Sequence, residues 1–144
     1  MKVRKAGIVV ALLSAHAWAA DWKPVRVVGL VYPEAAVIQG LEGTVKIDLH
    51  IANDGSVDWV VTREQDPMTE ETTLASAAVR NAREWKFLRI SSGNTDLYTL
   101  TYRFQIRRGE GARGPSEFRF VMPDQVFVTA GERPAKPSST KDGR

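Results

Sequence analysis

The chain has 144 residues, a formal net charge of +3 and no cysteine. This length allows one domain with a solvent-exposed tail. Because a disulfide framework is excluded, a hydrophobic core must supply the stability. The basic side chains among residues 1–5 account for the excess charge, since the rest of the chain has 17 basic and 17 acidic residues. Residues 103–144 are basic, but a tail of this kind is typical of a solvated segment, so we expect no nucleic-acid binding.

Residues 1–19 have the three parts of a secretory signal peptide. A basic start is followed by an apolar run at residues 6–15 and by Ala17-Trp18-Ala19, which fits the A-x-A cleavage pattern. We therefore expect export and cleavage before Ala20. The alternative is an uncleaved membrane anchor, but polar residues interrupt the run, which is shorter than the roughly 20 apolar residues of a membrane span.

Residues 20–31 are predicted to be an approach segment that leads into a domain at residues 32–107. Pro33 suits the start of a short helix because its φ is already helical, and Gly40 is placed to end that helix. Gly43 then admits the chain into a strand.

A β-hairpin is predicted at residues 42–62. Its first strand alternates between apolar and polar side chains, which indicates one buried face and one face towards water. The apolar residues are Val45, Ile47, Leu49 and Ile51, and the polar residues are Thr44, Lys46, Asp48 and His50. Asn53-Asp54-Gly55 supplies the residues that a tight turn needs. The apolar face of such a hairpin requires a cover.

A helix predicted at residues 68–85 provides this cover. Acidic residues lie in its first turn and basic residues near its last turn, which matches the helix dipole. Its apolar residues recur at helical spacing. They are Leu74, Ala75, Ala78, Val79, Ala82 and Trp85. Trp85 and Phe87 are expected to close the end of the core.

The clearest alternation of the chain predicts a long strand at residues 98–106. Residues 108–128 are predicted as a linker followed by one more strand or by a pair of strands broken around Pro123. Residues 129–144 are rich in Pro, Ser, Lys and Gly, so we expect a disordered basic tail.

The sequence offers no candidate for catalysis or for binding a metal, a cofactor or a small-molecule substrate. His50 is the one histidine after residue 19, and it lies on the polar parity of a strand. Asp54 and Asp58 are too few for a calcium loop, and Asp54 is explained by the turn. We therefore predict that the protein is not an enzyme.

Several short pieces of sequence, in this order and spacing, resemble the C-terminal domain of the TonB energy-transducer family. The pieces are Tyr32-Pro33-x-Ala35, Gly40-x-x-Gly43-x-Val45, Asp54-Gly55-x-Val57, Leu74-x-x-Ala77 and Trp85-x-Phe87. Each piece is short, but the set is fairly specific, and the resemblance covers residues 31–107.

The resemblance implies an α+β fold in which two helices pack on a three-stranded antiparallel sheet. It also implies a periplasmic function, in which the domain binds an extended segment of an outer-membrane transport protein by strand addition along its last strand. That strand would lie at the rim of the sheet. The implied partner-binding residues are Tyr98, Thr99, Leu100, Thr101, Tyr102, Arg103 and Phe104.

Two departures from the family pattern affect this interpretation. Only about a dozen residues separate Ala19 from Tyr32, whereas a full transducer has a long Pro-rich rod that crosses the periplasm. In addition, residues 88–90 lack the proline that usually follows the Trp-x-Phe motif. We therefore expect a stand-alone periplasmic relative.

Three hypotheses follow for the function. The first is an exported module that binds an extended segment of an envelope protein, with a homodimer as an open alternative. The second is a transport component that an uncleaved leader anchors in the inner membrane. The third is an envelope assembly factor whose basic tail meets a polyanionic surface. If the first hypothesis is correct, we expect residues 118–128 to pair with the strand at 98–106 and to compete with the partner's segment for it.

Overall fold

The computed structural model describes residues 21–65, 73–93, 95–109 and 114–131. Within these ranges the elements are β1 (Trp22–Arg26), α1 (Glu34–Gln39), β2 (Gly43–Ile51), β3 (Val57–Gln65), α2 (Leu74–Arg83), β4 (Lys86–Arg89), β5 (Leu97–Arg107), β6 (Glu117–Val121) and β7 (Gln125–Gly131). The predicted leader lies outside the described residues, as does the tail after residue 131. None of the described helices is long and apolar enough to cross a membrane.

The main sheet has five strands in the order β3-β2-β5-β7-β6. Strand β2 pairs antiparallel with β3 and with β5, β5 pairs in parallel with β7, and β7 pairs antiparallel with β6. The α+β class is as predicted, but the three-stranded antiparallel sheet is wrong. The chain adds two strands after β5 because residues 117–131 carry an alternating apolar pattern that can be buried against the same core.

The segment around Pro123 forms two strands, which is the broken pair that the sequence left open. The predicted disorder is wrong for residues 129–131, which belong to β7; the rest of the predicted tail lies outside the described residues. Ala130 is only 4% exposed. The apolar side chains of β7 pack into the core and hold this part of the tail in the sheet.

A second, two-stranded sheet pairs β1 antiparallel with β4. Trp22 and Phe87 point into the core, and the Trp22 Nε1–H donates to the carbonyl oxygen of Thr95 at 3.0 Å. The sequence predicted neither strand, because four or five residues with Pro24 among them give too short a pattern. The predicted approach segment therefore contains a strand.

One face of the main sheet carries the core, and α2 packs on this face against β2 and β3. The predicted inward residues of β2 are all at most 1% exposed. The predicted helix at 68–85 is observed at residues 74–83; residues 66–72 lie outside the described ranges. Trp85 is fully buried, but it follows the helix and leads into β4.

Asn81 on α2 is a polar centre within this core and is 6% exposed. Its Nδ2 donates to the carbonyl oxygens of Val28 and Gly29 at 2.9 and 3.1 Å. Its Oδ1 accepts from the Trp85 Nε1–H at 3.1 Å and from the Tyr102 hydroxyl at 2.9 Å. The amide thus satisfies its donors and acceptor and joins the helix to the approach segment and to β5.

Candidate partner-binding site

All seven residues predicted to bind the partner lie on β5, which is the central strand of the main sheet. Strand β2 pairs with residues 97–104 on one side, and β7 pairs with residues 101–107 on the other. The predicted open rim is therefore wrong for residues 101–104. The prediction that residues 118–128 pair with this strand is right for residues 125–128, which belong to β7, and wrong for residues 118–121, which pair with β7 instead. Residues 97–100 have no strand partner on the β7 side within the described chain.

Few side chains of β5 are exposed for a partner to contact. Tyr98, Leu100, Tyr102 and Phe104 point into the core and are at most 3% exposed. On the opposite face, Thr101 is 5% exposed, and the Thr99 hydroxyl donates to Asp48 Oδ1 at 2.7 Å. Arg103 is the one exposed side chain of the seven. Recognition along β5 would therefore depend on backbone hydrogen bonds.

Strand β7 occupies the outer edge of β5 in the same direction as β5. Its register places Gln125 beside Thr101 and Gly131 beside Arg107. Three inward side chains, Val126, Val128 and Ala130, are at most 4% exposed. Burying a valine stabilises a fold by about 1.5–3 kcal/mol, so a strand that replaces β7 must bring apolar side chains of its own.

Contacts at both ends fasten the β6–β7 hairpin, here defined as residues 117–131, to the domain. Arg107 binds the Glu117 carboxylate with Nη1 at 3.0 Å and the carbonyl oxygen of Pro115 with Nη2 at 2.7 Å. At the hairpin turn, the Tyr98 hydroxyl donates to the carbonyl oxygen of Pro123. Phe120 meets the ring of Trp85 edge-on, with centroids 5.1 Å apart. The hairpin is thus part of the folded core.

Tyr98 stays neutral at the turn of the hairpin. Burial, and secondly the Asp124 carboxylate, raise the pKa of Tyr98 to about 12. The hydroxyl therefore keeps its proton at physiological pH and remains a hydrogen-bond donor to Pro123. Burial also raises the pKa of Tyr102, whose hydroxyl donates to Asn81.

The two outer strands of the sheet are less suited than β5 to accept another strand. Two register shifts interrupt the pairing of β3 with β2, and the longest regular run, residues 59–62, lies between them. Strand β6 has five residues, and Glu117 and Arg119 are exposed on it. Bulges, short length and charge are the devices by which proteins protect sheet edges. The regular edge of β5 is the one that already holds an added strand.

The polar face of β2 is less exposed than the sequence predicted. The His50 side chain is 29% exposed, and its ring stacks on Trp59 with centroids 5.0 Å apart. Asp48 is 23% exposed and lies 3.9 Å from Arg63. Neighbouring strands cover these side chains, which single-strand parity cannot reveal. Across the described ranges, no cluster of three or more residues could hold a metal ion.

The residues that carried the resemblance have structural roles. Gly40 ends α1 with a left-handed φ of 68°. Gly55 has a φ of 86°, and a Cβ there would lie 2.0 Å from the carbonyl oxygen of Phe87, so the turn requires glycine at this close approach. Tyr32 packs edge-on against Phe104, with centroids 5.5 Å apart. The others are Pro33, which precedes α1, Gly43, which begins β2, and the buried Trp85 and Phe87.

Comparison with known proteins assigns a family to this architecture. The family model described as "Gram-negative bacterial TonB protein C-terminal" matches residues 28–107, which is more than half of the chain. The chain belongs to the TonB C-terminal domain family. Domains of this family bind outer-membrane transport proteins, and the family is a protein-interaction family of the Gram-negative envelope rather than an enzyme family.

A solved TonB C-terminal domain from Pseudomonas aeruginosa, determined by solution NMR, is also similar to this chain. The identity is 29% and the TM-score is 0.43; the match covers 57% of this chain and 81% of the other. No curated protein matches the chain. The TonB family match ends at Arg107, the last residue of β5, so the β6–β7 hairpin lies beyond the matched family core.

Proposed function

We propose that this protein is a periplasmic binding module that takes up an extended segment of an outer-membrane transport protein, or of another envelope protein, by strand addition along β5. Membership of the TonB C-terminal domain family supports a partner of this class. The scarcity of exposed side chains on β5 supports recognition through the backbone. In the free protein, β7 holds the position that the partner takes.

The observation that carries this proposal is the parallel pairing of β7 with residues 101–107. It supports the proposal because a strand of this chain already pairs with the outer edge of β5. A partner segment that aligns in the same way would place small apolar side chains at alternate positions, as Val126, Val128 and Ala130 do. The segment would thus resemble β7 in pattern and direction.

Residues 97–100 provide a place for the partner to begin. Their β7-side edge has no strand partner in the described chain, and the hairpin turn at residues 122–124 lies beside them. A segment that pairs here first can extend towards residue 107 while β7 leaves one residue at a time. Each backbone hydrogen bond that β5 loses to β7 is then replaced by one to the partner. The free energy of the exchange therefore stays close to zero.

The proposal includes export with cleavage before Ala20. Intact-mass measurement of the chain from the envelope fraction tests this step, and we expect the mass of residues 20–144. A chain that keeps residues 1–19 and fractionates with the inner membrane would contradict it and would favour the anchored transport component.

Photo-crosslinking in living cells tests the function itself. A photoreactive residue placed at Thr99 on β5 should capture an extended segment of an outer-membrane transport protein, which mass spectrometry identifies. The matched control carries the same residue at Val61 on β3, which is 48% exposed, and should capture much less. Capture from Val61 alone, or no envelope protein captured from Thr99, would contradict the proposal.

A further inference from the structure

The small β1–β4 sheet has an outward face that combines apolar and basic side chains. Leu88 lies opposite Lys23, and Lys86 lies opposite Arg26. Ile90 continues the same parity one step beyond β4. Leu88 is 57% exposed and Ile90 is 48% exposed. We name this surface the ribbon face; it consists of Lys23, Val25, Arg26, Lys86, Leu88 and Ile90.

The fold does not need the ribbon face to be apolar. The inward side chains Trp22, Pro24 and Phe87 hold the ribbon against the core, and all three are buried. Val25, at the bulge of β1, is 58% exposed. An apolar cluster that stays in water while its neighbours fill the core is typical of an interaction surface.

The charge on the ribbon face is positive, and the nearby Asp54 carboxylate partly offsets that of Lys86. Lys23 and Arg26 form no ion pair with any described residue. The nearby Asp21 carboxylate accepts hydrogen bonds from the Ser91 hydroxyl and the Thr95 N–H, which occupy its oxygens. An anionic surface would therefore meet available cations beside the apolar side chains.

We infer that the ribbon face docks on an anionic lipid membrane. Apolar side chains can enter the boundary between headgroups and acyl chains, while flanking Lys and Arg side chains contact the phosphates. Charge complementarity favours lipid over a protein partner. The face presents Lys23 and Arg26, which have no ion-pair partner among the described residues, beside the exposed Leu88 and Ile90.

A backbone hydrogen bond holds the start of the ribbon beside this face. The Ile90 N–H donates to the carbonyl oxygen of Asp21 at 2.8 Å, so the first described residue is tied to the apolar end of the face. In the exported chain, docking would hold the domain at a membrane of the envelope while β5 remains free to bind a partner. The inference goes beyond the proposed function and rests only on its export step, so strand addition at β5 can fail without affecting it.

Vesicle co-sedimentation tests this inference with the soluble chain purified from a periplasmic extract. We expect binding to vesicles that contain phosphatidylglycerol and little binding to vesicles of phosphatidylcholine alone. Lys23→Gln with Arg26→Gln should weaken binding by about fivefold for each cation removed. Leu88→Ser with Ile90→Ser should weaken it further, while thermal unfolding confirms that the variants remain folded.

Matched controls separate the ribbon face from general charge and hydrophobicity. Arg80→Gln with Arg83→Gln changes the net charge equally on the exposed side of α2, and Ile38→Ser with Val61→Ser removes exposed apolar side chains elsewhere. Both controls should bind as the parent chain does. The inference is overturned if the parent chain does not bind vesicles that contain phosphatidylglycerol or binds both vesicle types equally. It is also overturned if the ribbon-face variants and the control variants bind vesicles with the same affinity.

Discussion

Trp85→Ala is expected to lower the free energy of unfolding by about 3–5 kcal/mol, which is a large part of the roughly 5–15 kcal/mol that stabilises a typical domain. The indole is fully buried and lies between Phe87 and Phe120, with ring centroids 6.3 and 5.1 Å away. Its removal would leave a cavity where α2, β4 and the β6–β7 hairpin meet. Urea denaturation of the full chain measures the change.

Two further variants identify the origin of this loss. Trp59→Ala removes the same side chain from β3, where it is 44% exposed, and should cost less than about 1 kcal/mol. Trp85→Phe keeps a buried ring but removes the Nε1–H that Asn81 accepts, and should cost about 1–2 kcal/mol. Equal costs for the two alanine variants would show that Trp85 does not close the core.

The hairpin of β2 and β3 and the strand β5 could be predicted from sequence because long runs with a period of two are unambiguous. The β1–β4 sheet could not, because its strands are short and its pattern is interrupted at Pro24. Asn81 lies seven residues after Leu74 and four before Trp85, on the apolar side of the helix, but helical spacing does not identify the partners of its amide. Its role as a buried amide depends on Val28, Gly29 and Tyr102, which are distant in sequence.

The candidate site at residues 98–104 stays a prediction from alternation and the family resemblance. The sequence could not predict how the neighbouring strands pair with it. The parallel pairing of β7 depends on a linker and a turn whose geometry the sequence does not specify. The sequence could therefore predict that a later segment covers the edge of β5, but not the direction in which that segment pairs. Few side chains of β5 are exposed because neighbouring strands cover them. The alternation along a single strand does not show this cover.

Removal of the β6–β7 hairpin should raise the affinity of β5 for an added strand. A chain that ends after Arg108 keeps the family-matched residues 28–107 and loses the strand that competes for the edge. Because β7 buries two valines, it should occupy the edge in more than about 99% of molecules, and its removal should tighten binding by at least about a hundredfold. Titration with a synthetic peptide of residues 125–131 measures the gain, and no binding by a folded truncated chain would contradict the expectation.

A reversible covalent lock tests the central claim without removing any part of the fold. Gln105 and Thr129 are register partners on β5 and β7, and the chain has no other cysteine, so Gln105→Cys with Thr129→Cys can join the two strands by a disulfide. The control joins Glu117 to Thr129, which are partners within the hairpin, and leaves the hairpin free to move from β5.

The decisive measurement is the affinity of the oxidised and reduced chains for the partner segment that is crosslinked from Thr99. We predict that the oxidised Gln105–Thr129 variant does not bind the segment, that reduction restores binding, and that the control binds in both states. Equal binding by the oxidised and reduced Gln105–Thr129 variant would contradict strand exchange at β5.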